Sequence, residues 1–214
     1  MSRPQRLIVI AGTGTEVGKT WVAAQLLRLA RQRGLRVAAR KPAQSFEPGS
    51  PTDAELLGAA TGEEPTVVCP QHRWYAVPMA PPMAADVLGR ERLTLATLIE
   101  ELHWPSSVDL GCVEIAGGLR SPMTHDADNV EFIAALAPDD IVLVADAGLG
   151  TINSVRLSLA ALGSRRTHVF LNRFEPGNDL HERNRAWLRE VYGIEGIVEG
   201  QQLLTRLWAV GGRL

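Results

Sequence analysis

The stretch Gly12-Thr13-Gly14-Thr15-Glu16-Val17-Gly18-Lys19-Thr20 leaves the chain few folds to choose from. The apolar run Leu7-Ile8-Val9-Ile10-Ala11 before it reads as a buried strand, and Trp21 to Arg33 after it reads as a helix. A strand, a glycine-rich turn ending in Gly-Lys-Thr and a helix together make a phosphate-binding loop. Glycines let successive N–H groups curl round one anion, and the helix N-terminus adds its positive dipole end. Residues Gly14, Thr15, Glu16, Val17 and Gly18 would form that cradle for a nucleotide. Lys19 would reach the terminal phosphates and the Thr20 hydroxyl would ligate Mg²⁺. Thr13 stands where the usual spacing places the first glycine, and Gly12 sits one residue earlier, so the loop is one residue longer than the common pattern.

The rest of the chain alternates short apolar runs with helical periodicity. The helix after the loop sets Val22, Ala23, Leu26, Leu27 and Ala30 on one side, and Gly34 follows it as a terminating glycine. Strands are expected at Leu35–Arg40, Val108–Ile115, Ile141–Ala145 and Thr167–Leu171, with a weak one near Ile194–Val198. Helices are expected at Asp53–Ala60, Ala84–Leu88, Leu93–Leu102, Asn129–Leu136, Ile152–Leu162, Leu180–Val191 and near Leu203–Trp208. This order implies an α/β fold of the P-loop NTPase type. A doubly wound, mostly parallel sheet would carry helices on both faces, as one domain over 1–214, with function at the carboxyl ends of the strands. The polar stretch 42–65 and the proline-rich stretch 69–83 form a long crossover. It would border the nucleotide site, because long loops in compact domains are more often functional than idle.

With 214 residues, 45% of them hydrophobic, and a net charge of −2, the chain can bury a real core and has no general pull towards nucleic acid. Cys69 and Cys112 lie far apart, which argues against a disulfide or zinc framework and for a reducing compartment. No apolar run approaches membrane-spanning length, and Met1 to Arg6 leads straight into the first strand without room for a signal peptide. A soluble, cytoplasmic protein with no membrane partner is the expectation.

Several polar residues fall at strand ends. Glu114 closes an otherwise apolar strand, and a carboxylate there needs a partner, for which Mg²⁺ held by Thr20 is suited. Gly117 and Gly118 just beyond would let backbone N–H groups approach a ligand. Lys41 follows the second strand and would either neutralise charge on a transferring phosphoryl group or stand as an ordinary surface lysine. Asp53 is a second metal carboxylate or a helix cap, and on its own residue type the cap is favoured. Asn172 ends a strand, where its amide offers both donor and acceptor to a purine edge or simply opens a turn. An Asn-Lys-x-Asp signature for guanine is absent, which favours ATP. The five histidines have no metal-ligand spacing, and Trp21 and Trp187, both within helices, read as packing residues.

Taken in order, these segments resemble the dethiobiotin synthetase family. Residues 12–20 look like its lengthened phosphate loop. Lys41-Pro42-Ala43-Gln44-Ser45 is similar to its Lys-Pro-Val-x-[ST] segment, and Thr52-Asp53-Ala54-Glu55-Leu56 to its Asp-Ala metal segment. Met79-Ala80-Pro81-Pro82-Met83-Ala84-Ala85 resembles its Pro-x-[SA]-Pro-His-x-Ala-Ala stretch. Glu114-Ile115-Ala116-Gly117-Gly118 resembles its Glu-Gly-Ala-Gly-Gly, and Leu149-Gly150-Thr151-Ile152-Asn153 its Leu-Gly-Thr-x-Asn. The resemblance implies an ATP- and Mg²⁺-dependent ring closure of 7,8-diaminopelargonic acid with CO₂. Lys19 and Lys41 would stabilise phosphoryl charge, and Thr15 and Ser45 would face the reacting groups. Thr20, Asp53 and Glu114 would hold the metal, Gly117 and Gly118 would donate N–H groups, and Asn172 would read adenine. It also implies a homodimer in which Gly150, Thr151, Ile152 and Asn153 bind the substrate carboxylate across the interface. The chain departs from the family pattern at Phe46, Pro82, Ile115 and Ser154, and Ile115 would add bulk where a ligand approaches. Two other readings share this architecture: a related ligase acting on a different amine or acid, and a nucleotide-switched regulatory ATPase. The early extra lysine usual in the phosphate loop of such ATPases is missing.

Overall fold

The computed structural model describes residues 3–208. In chain order the elements are β1 (Arg6–Gly12), α1 (Lys19–Gln32), β2 (Val37–Arg40), β3 (Gln44–Ser45), α2 (Asp53–Thr61), α3 (Pro65–Val68) and β4 (Trp74–Tyr75). Then follow α4 (Pro81–Val87), α5 (Leu95–Glu100), β5 (Leu110–Glu114), α6 (Asn129–Leu136), β6 (Asp140–Asp146) and α7 (Thr151–Leu162). The last are β7 (Thr167–Asn172), α8 (Asp179–Tyr192), β8 (Gly196–Ile197) and α9 (Gly200–Trp208). Met1 and Ser2, on which the expectation of no signal peptide bears, lie outside the described residues.

Six strands form one sheet in the order β2-β5-β1-β6-β7-β8, every neighbouring pair parallel. Such a sheet is covered on both faces, which is why its strands read as unbroken apolar runs. Side chains alternate across it with a period of two and so feed two separate cores. On β1, Ile8 and Ile10 join the core that includes Leu26, Leu27, Leu57 and Leu204 from α1, α2 and α9. Leu7, Val9 and Ala11 join the other, with Phe132, Val155 and Leu188 from α6, α7 and α8. The expected fold is therefore the observed one.

Differences lie at the ends and in the crossover. Helix α1 starts at Lys19, inside the phosphate loop, rather than at Trp21. Strand β2 starts at Val37, because Arg36 is spent on a clamp: its backbone N–H and guanidinium both donate to the Asp109 carboxylate. The crossover is also less irregular than the sequence implies. It holds α3 and a small separate parallel sheet of β3 and β4, which pairs Gln44 with Trp74 and Ser45 with Tyr75. Helix α2 opens with a capping box, in which Thr52 accepts from Glu55 N–H and Glu55 accepts from Thr52 N–H. Thr52 is thus the cap, and the Asp53 side chain is released for other work. No helix among the described residues is long and apolar enough to cross a membrane.

Candidate active site

Strand β1 delivers the chain to the phosphate loop, and the loop's two turning points are fixed sterically. A Cβ on Gly12 would lie 2.9 Å from both Lys19 Cδ and Val17 Cγ2, so the loop can fold over the lysine only without a side chain there. Gly18 has φ +90°, and a Cβ on it would sit 2.1 Å from Asn172 Nδ2. Glu16 also takes the left-handed region, with φ +60°, a strained conformation for a residue with a side chain. Gly18 caps α1 without any side chain, so the first N–H groups of the helix stay open for an anion. The Lys19 ammonium donates to Gly14 O at 3.0 Å. Burial and then the Lys41 charge lower its pKa to about 8, against the opposing pull of Glu114 and Asp53.

Four side chains converge beside the loop, from α1, α2, β5 and the residue that follows β2. Thr20 Oγ1 lies 2.8 Å from Asp53 Oδ1 and 2.9 Å from Glu114 Oε1. Lys41 Nζ lies 2.7 Å from Asp53 Oδ2 and 2.7 Å from Glu114 Oε1. Lys41 is 2% exposed and Glu114 1%, so the alternative of a surface lysine is excluded. Burial raises the Glu114 pKa, with Lys41 pulling against it. Burial also acts most strongly on Lys41, downward, but Asp53 and Glu114 together outweigh it and raise the lysine's pKa. For Asp53 the ammonium of Lys41 and the Thr20 hydroxyl overcome the effect of burial and hold the carboxyl below its ordinary value. One oxygen of this cluster, Glu114 Oε2, is buried with no hydrogen-bond partner. Two carboxylates, one of them with an orphaned oxygen, and a hydroxyl are a hard oxygen donor set that fits Mg²⁺. Among the described residues no three His, Cys, Asp or Glu side chains gather as a metal site.

These groups line a cavity of about 700 Å³ at the carboxyl end of the sheet, together with Thr15, Glu16, Gly18, Ser45 and Gly117. Its outer wall is the crossover, through Phe46, Glu47 and the segment Pro78–Pro81. Gln44 sets this wall against α2, because its Oε1 accepts from Ala54 N–H at 2.9 Å. Gly118 packs against Gly14, but its N–H is donated to Ser121 Oγ at 3.0 Å. Asn172 donates one amide N–H to Val17 O at 2.9 Å and borders a neighbouring cavity of about 400 Å³. Gly150 to Asn153 form the uncapped start of α7 and are not among the residues lining the large cavity of their own chain.

Some residues carry more than the sequence disclosed. Arg173 lines both cavities and ties the loop to β6, donating to Glu16 O and to Asp146 Oδ2, each at 2.9 Å. Its position directly after Asn172 at a strand's carboxyl end was the available signal. Ser121 had none. Trp21 and Trp187 are not packing residues: they are 56% and 53% exposed. Ile115 adds no bulk to the site either. It is fully buried in the core on the far face of the sheet, because adjacent strand-end residues point to opposite sides. Phe46 packs edge-on against Trp74, Pro82 is buried in the first turn of α4, and Ser154 donates to Thr151 O at 3.1 Å.

A family model described as an AAA domain matches residues 6–195. An ATP-dependent dethiobiotin synthetase from Anaeromyxobacter sp. (strain K) is 40% identical over 181 residues, which is 81% of this chain and 79% of that protein. Another dethiobiotin synthetase, from Caulobacter vibrioides, is 38% identical over 164 residues, 74% of each chain. Among solved structures, the signal recognition particle receptor FtsY from Elizabethkingia anophelis in complex with GDP superposes with a TM-score of 0.57 at 13% identity. That match covers 97% of this chain and 64% of the receptor's length, and it is a likeness of fold alone.

Proposed function

The chain belongs to the family of ATP-dependent dethiobiotin synthetases, and from that premise we propose that it closes the ureido ring of dethiobiotin from 7,8-diaminopelargonic acid, CO₂ and ATP with Mg²⁺. The observation that carries this reading is the convergence of Thr20, Lys41, Asp53 and Glu114, all within 3 Å contacts, next to the phosphate loop. Thr20, Asp53 and Glu114 would hold Mg²⁺, which when bound supplies positive charge to the phosphate oxygens.

The chemistry asks for positioning and charge neutralisation more than for proton transfer. One amine of the substrate takes up CO₂ as a carbamate. A carbamate oxygen attacks the γ-phosphorus, ADP departs, and a carbamic–phosphoric anhydride remains. The second amine then attacks the carbonyl carbon, loses its proton and expels phosphate, closing the ring. Lys19 and Lys41 flank the place where the transferring phosphoryl group would lie, and their ammonium groups offset its charge. Thr15 and Ser45 line the same cavity and would orient the carbamate. Gly14 to Gly18 wrap the phosphates, and Gly117 faces the cavity with Gly118 stacked behind it on Gly14. Asn172 would meet the adenine from the neighbouring cavity.

The substrate carboxylate would be taken by Gly150, Thr151, Ile152 and Asn153 of a second copy. Three features support a homodimer of this kind. The α7 N-terminus has no side-chain cap, Thr151 Oγ1 is buried without a partner, and the apolar Leu149 and Leu157 are 93% and 64% exposed. Two free, buried cysteines accord with work in the cytoplasm. The test is phosphate release from Mg·ATP with bicarbonate, with and without 7,8-diaminopelargonic acid, and dethiobiotin followed by mass. Diamine-dependent phosphate release matched by dethiobiotin is expected. Nucleotide binding with no such product would overturn the reading in favour of a different amine or acid.

A further inference from the structure

The aromatic residue that follows the phosphate loop directly in the chain has no role in the chemistry above. Trp21 is the third residue of α1, directly after Thr20, and its indole is 56% exposed. It does not share the buried face of its helix, where Val22, Ala23, Leu26 and Leu27 meet the sheet. It lines the cavity of about 400 Å³ with Gly18, Phe170, Leu171, Asn172, Arg173, Phe174 and Val198. Gly18 and Arg173 border both this cavity and the phosphate-binding one, so the two adjoin. Helical side chains tilt towards the N-terminus, which carries the indole towards the exit of the phosphate loop. A nucleotide whose phosphates lie in the loop carries its base one ribose further on, and the adjoining cavity is within its reach.

The lining of this cavity is mostly apolar. Of its two polar side chains, Arg173 is held by Glu16 O and Asp146, and Asn172 has given one amide N–H to Val17 O, which leaves a single amide edge for the base. A flat, half-polar ring is therefore held here chiefly through its faces. We propose that Trp21 is the stacking platform for the nucleobase, a nucleotide-binding residue; this rests on the nucleotide-dependent reading of the site.

Base-on-aromatic stacking removed by alanine costs on the order of tenfold in affinity. The test measures binding by calorimetry for wild type, Trp21→Ala and Trp21→Phe, with Mg·ATP and with Mg·tripolyphosphate, which carries the phosphates and no base. The expected result is an ATP affinity about tenfold weaker in Trp21→Ala and largely restored in Trp21→Phe. Tripolyphosphate should bind alike to all three. Unchanged ATP binding in Trp21→Ala overturns the proposal. So does an equal loss for ATP and tripolyphosphate, which would mean that the indole only shapes the loop. Dethiobiotin formation is read separately. The stacking role can thus fall while the ligase reading stands, and failure to make dethiobiotin leaves the binding result intact.

Discussion

Replacing Lys41 by Met should unbalance the carboxylates it bridges while keeping most of the side chain's length and apolar stem. In the wild-type chain the ammonium lies 2.7 Å from Asp53 and 2.7 Å from Glu114. Breaking a buried pair from one side costs about 3–5 kcal/mol, because the remaining charge stays buried without compensation. The Asp53 side chain is 35% exposed, so water screens its share and Glu114 carries the penalty. The lower end, about 3 kcal/mol, corresponds to a Tm roughly 6–12 °C lower for a chain of this size. Glu114 can escape by taking a proton, since burial already raises its pKa and Lys41 is the main opposing influence. A carboxyl with a raised folded pKa contributes stability that is present below its unfolded value, about 4.3, and is lost as pH rises through the folded one. The deficit of Lys41→Met should therefore be smallest near pH 5 and full at pH 8, measured by calorimetric melts without metal. Added Mg²⁺ alone should return more stability to the variant than to wild type, by supplying the missing positive charge. Turnover should fall at least about 10²–10³-fold, as for loss of one preorganised charge partner, while nucleotide binding is mostly kept. A deficit independent of pH would refute the charge-balance argument, and full turnover would remove Lys41 from the mechanism.

Three further outcomes follow from the same geometry. Arg173→Ala should raise the KM for ATP about two- to tenfold, the worth of one lost hydrogen bond to the loop, with kcat nearly unchanged. Because that side chain is 60% exposed, its melting curve should hardly move, and a large stability loss would contradict the role given to it. Ile115→Gly, the glycine of the Glu-Gly-Ala-Gly-Gly pattern this segment resembles, should cost about 3–5 kcal/mol in urea unfolding and bring no gain in rate, because the side chain fills the core. A neutral effect would show that it does not. Lys19, with its pKa lowered to about 8, should lose its charge as pH rises from 7 to 9, and the ATP affinity should weaken over that range. Calorimetric titration checks this, with Lys19→Arg expected to flatten the profile and a flat wild-type profile counting against the role.

Much of this molecule can be read without coordinates, for identifiable reasons. The sheet is buried on both faces, so each of its central strands is an unbroken apolar run, and helix Asn129–Leu136 falls where its pattern places it. The capping box at Thr52 and Glu55 is a local signal, and it decides a longer-range question. With Thr52 as the cap, Asp53 is free to meet Thr20 and Lys41. Strands β3 and β4 leave no mark in the sequence because two residues each are too short to show any period. The exposure of Trp21 is not legible because membership of a helix says nothing about which flank a residue occupies; its neighbours Val22 and Ala23 take the buried face and leave it outside.

The residue the sequence could not place was Lys41, and the cause is topological. Nothing local says that β2 lies beside β5 rather than beside β1, which precedes it in the chain. Once the order is β2-β5-β1, the register follows: Arg40 pairs with Val113, so the next residues, Lys41 and Glu114, lie side by side. The strand period then separates Glu114 from Ile115, one facing the site and the other the opposite core. A carboxylate 1% exposed at a strand end needs a positive charge at hand before any metal or nucleotide arrives, and parallel pairing supplies one from the neighbouring strand. The same ammonium is then already in place when phosphate charge enters the cavity. One side chain thus serves the stability of the empty site and the chemistry of the filled one. That double service is why removing it should show in the melting curve as well as in the rate.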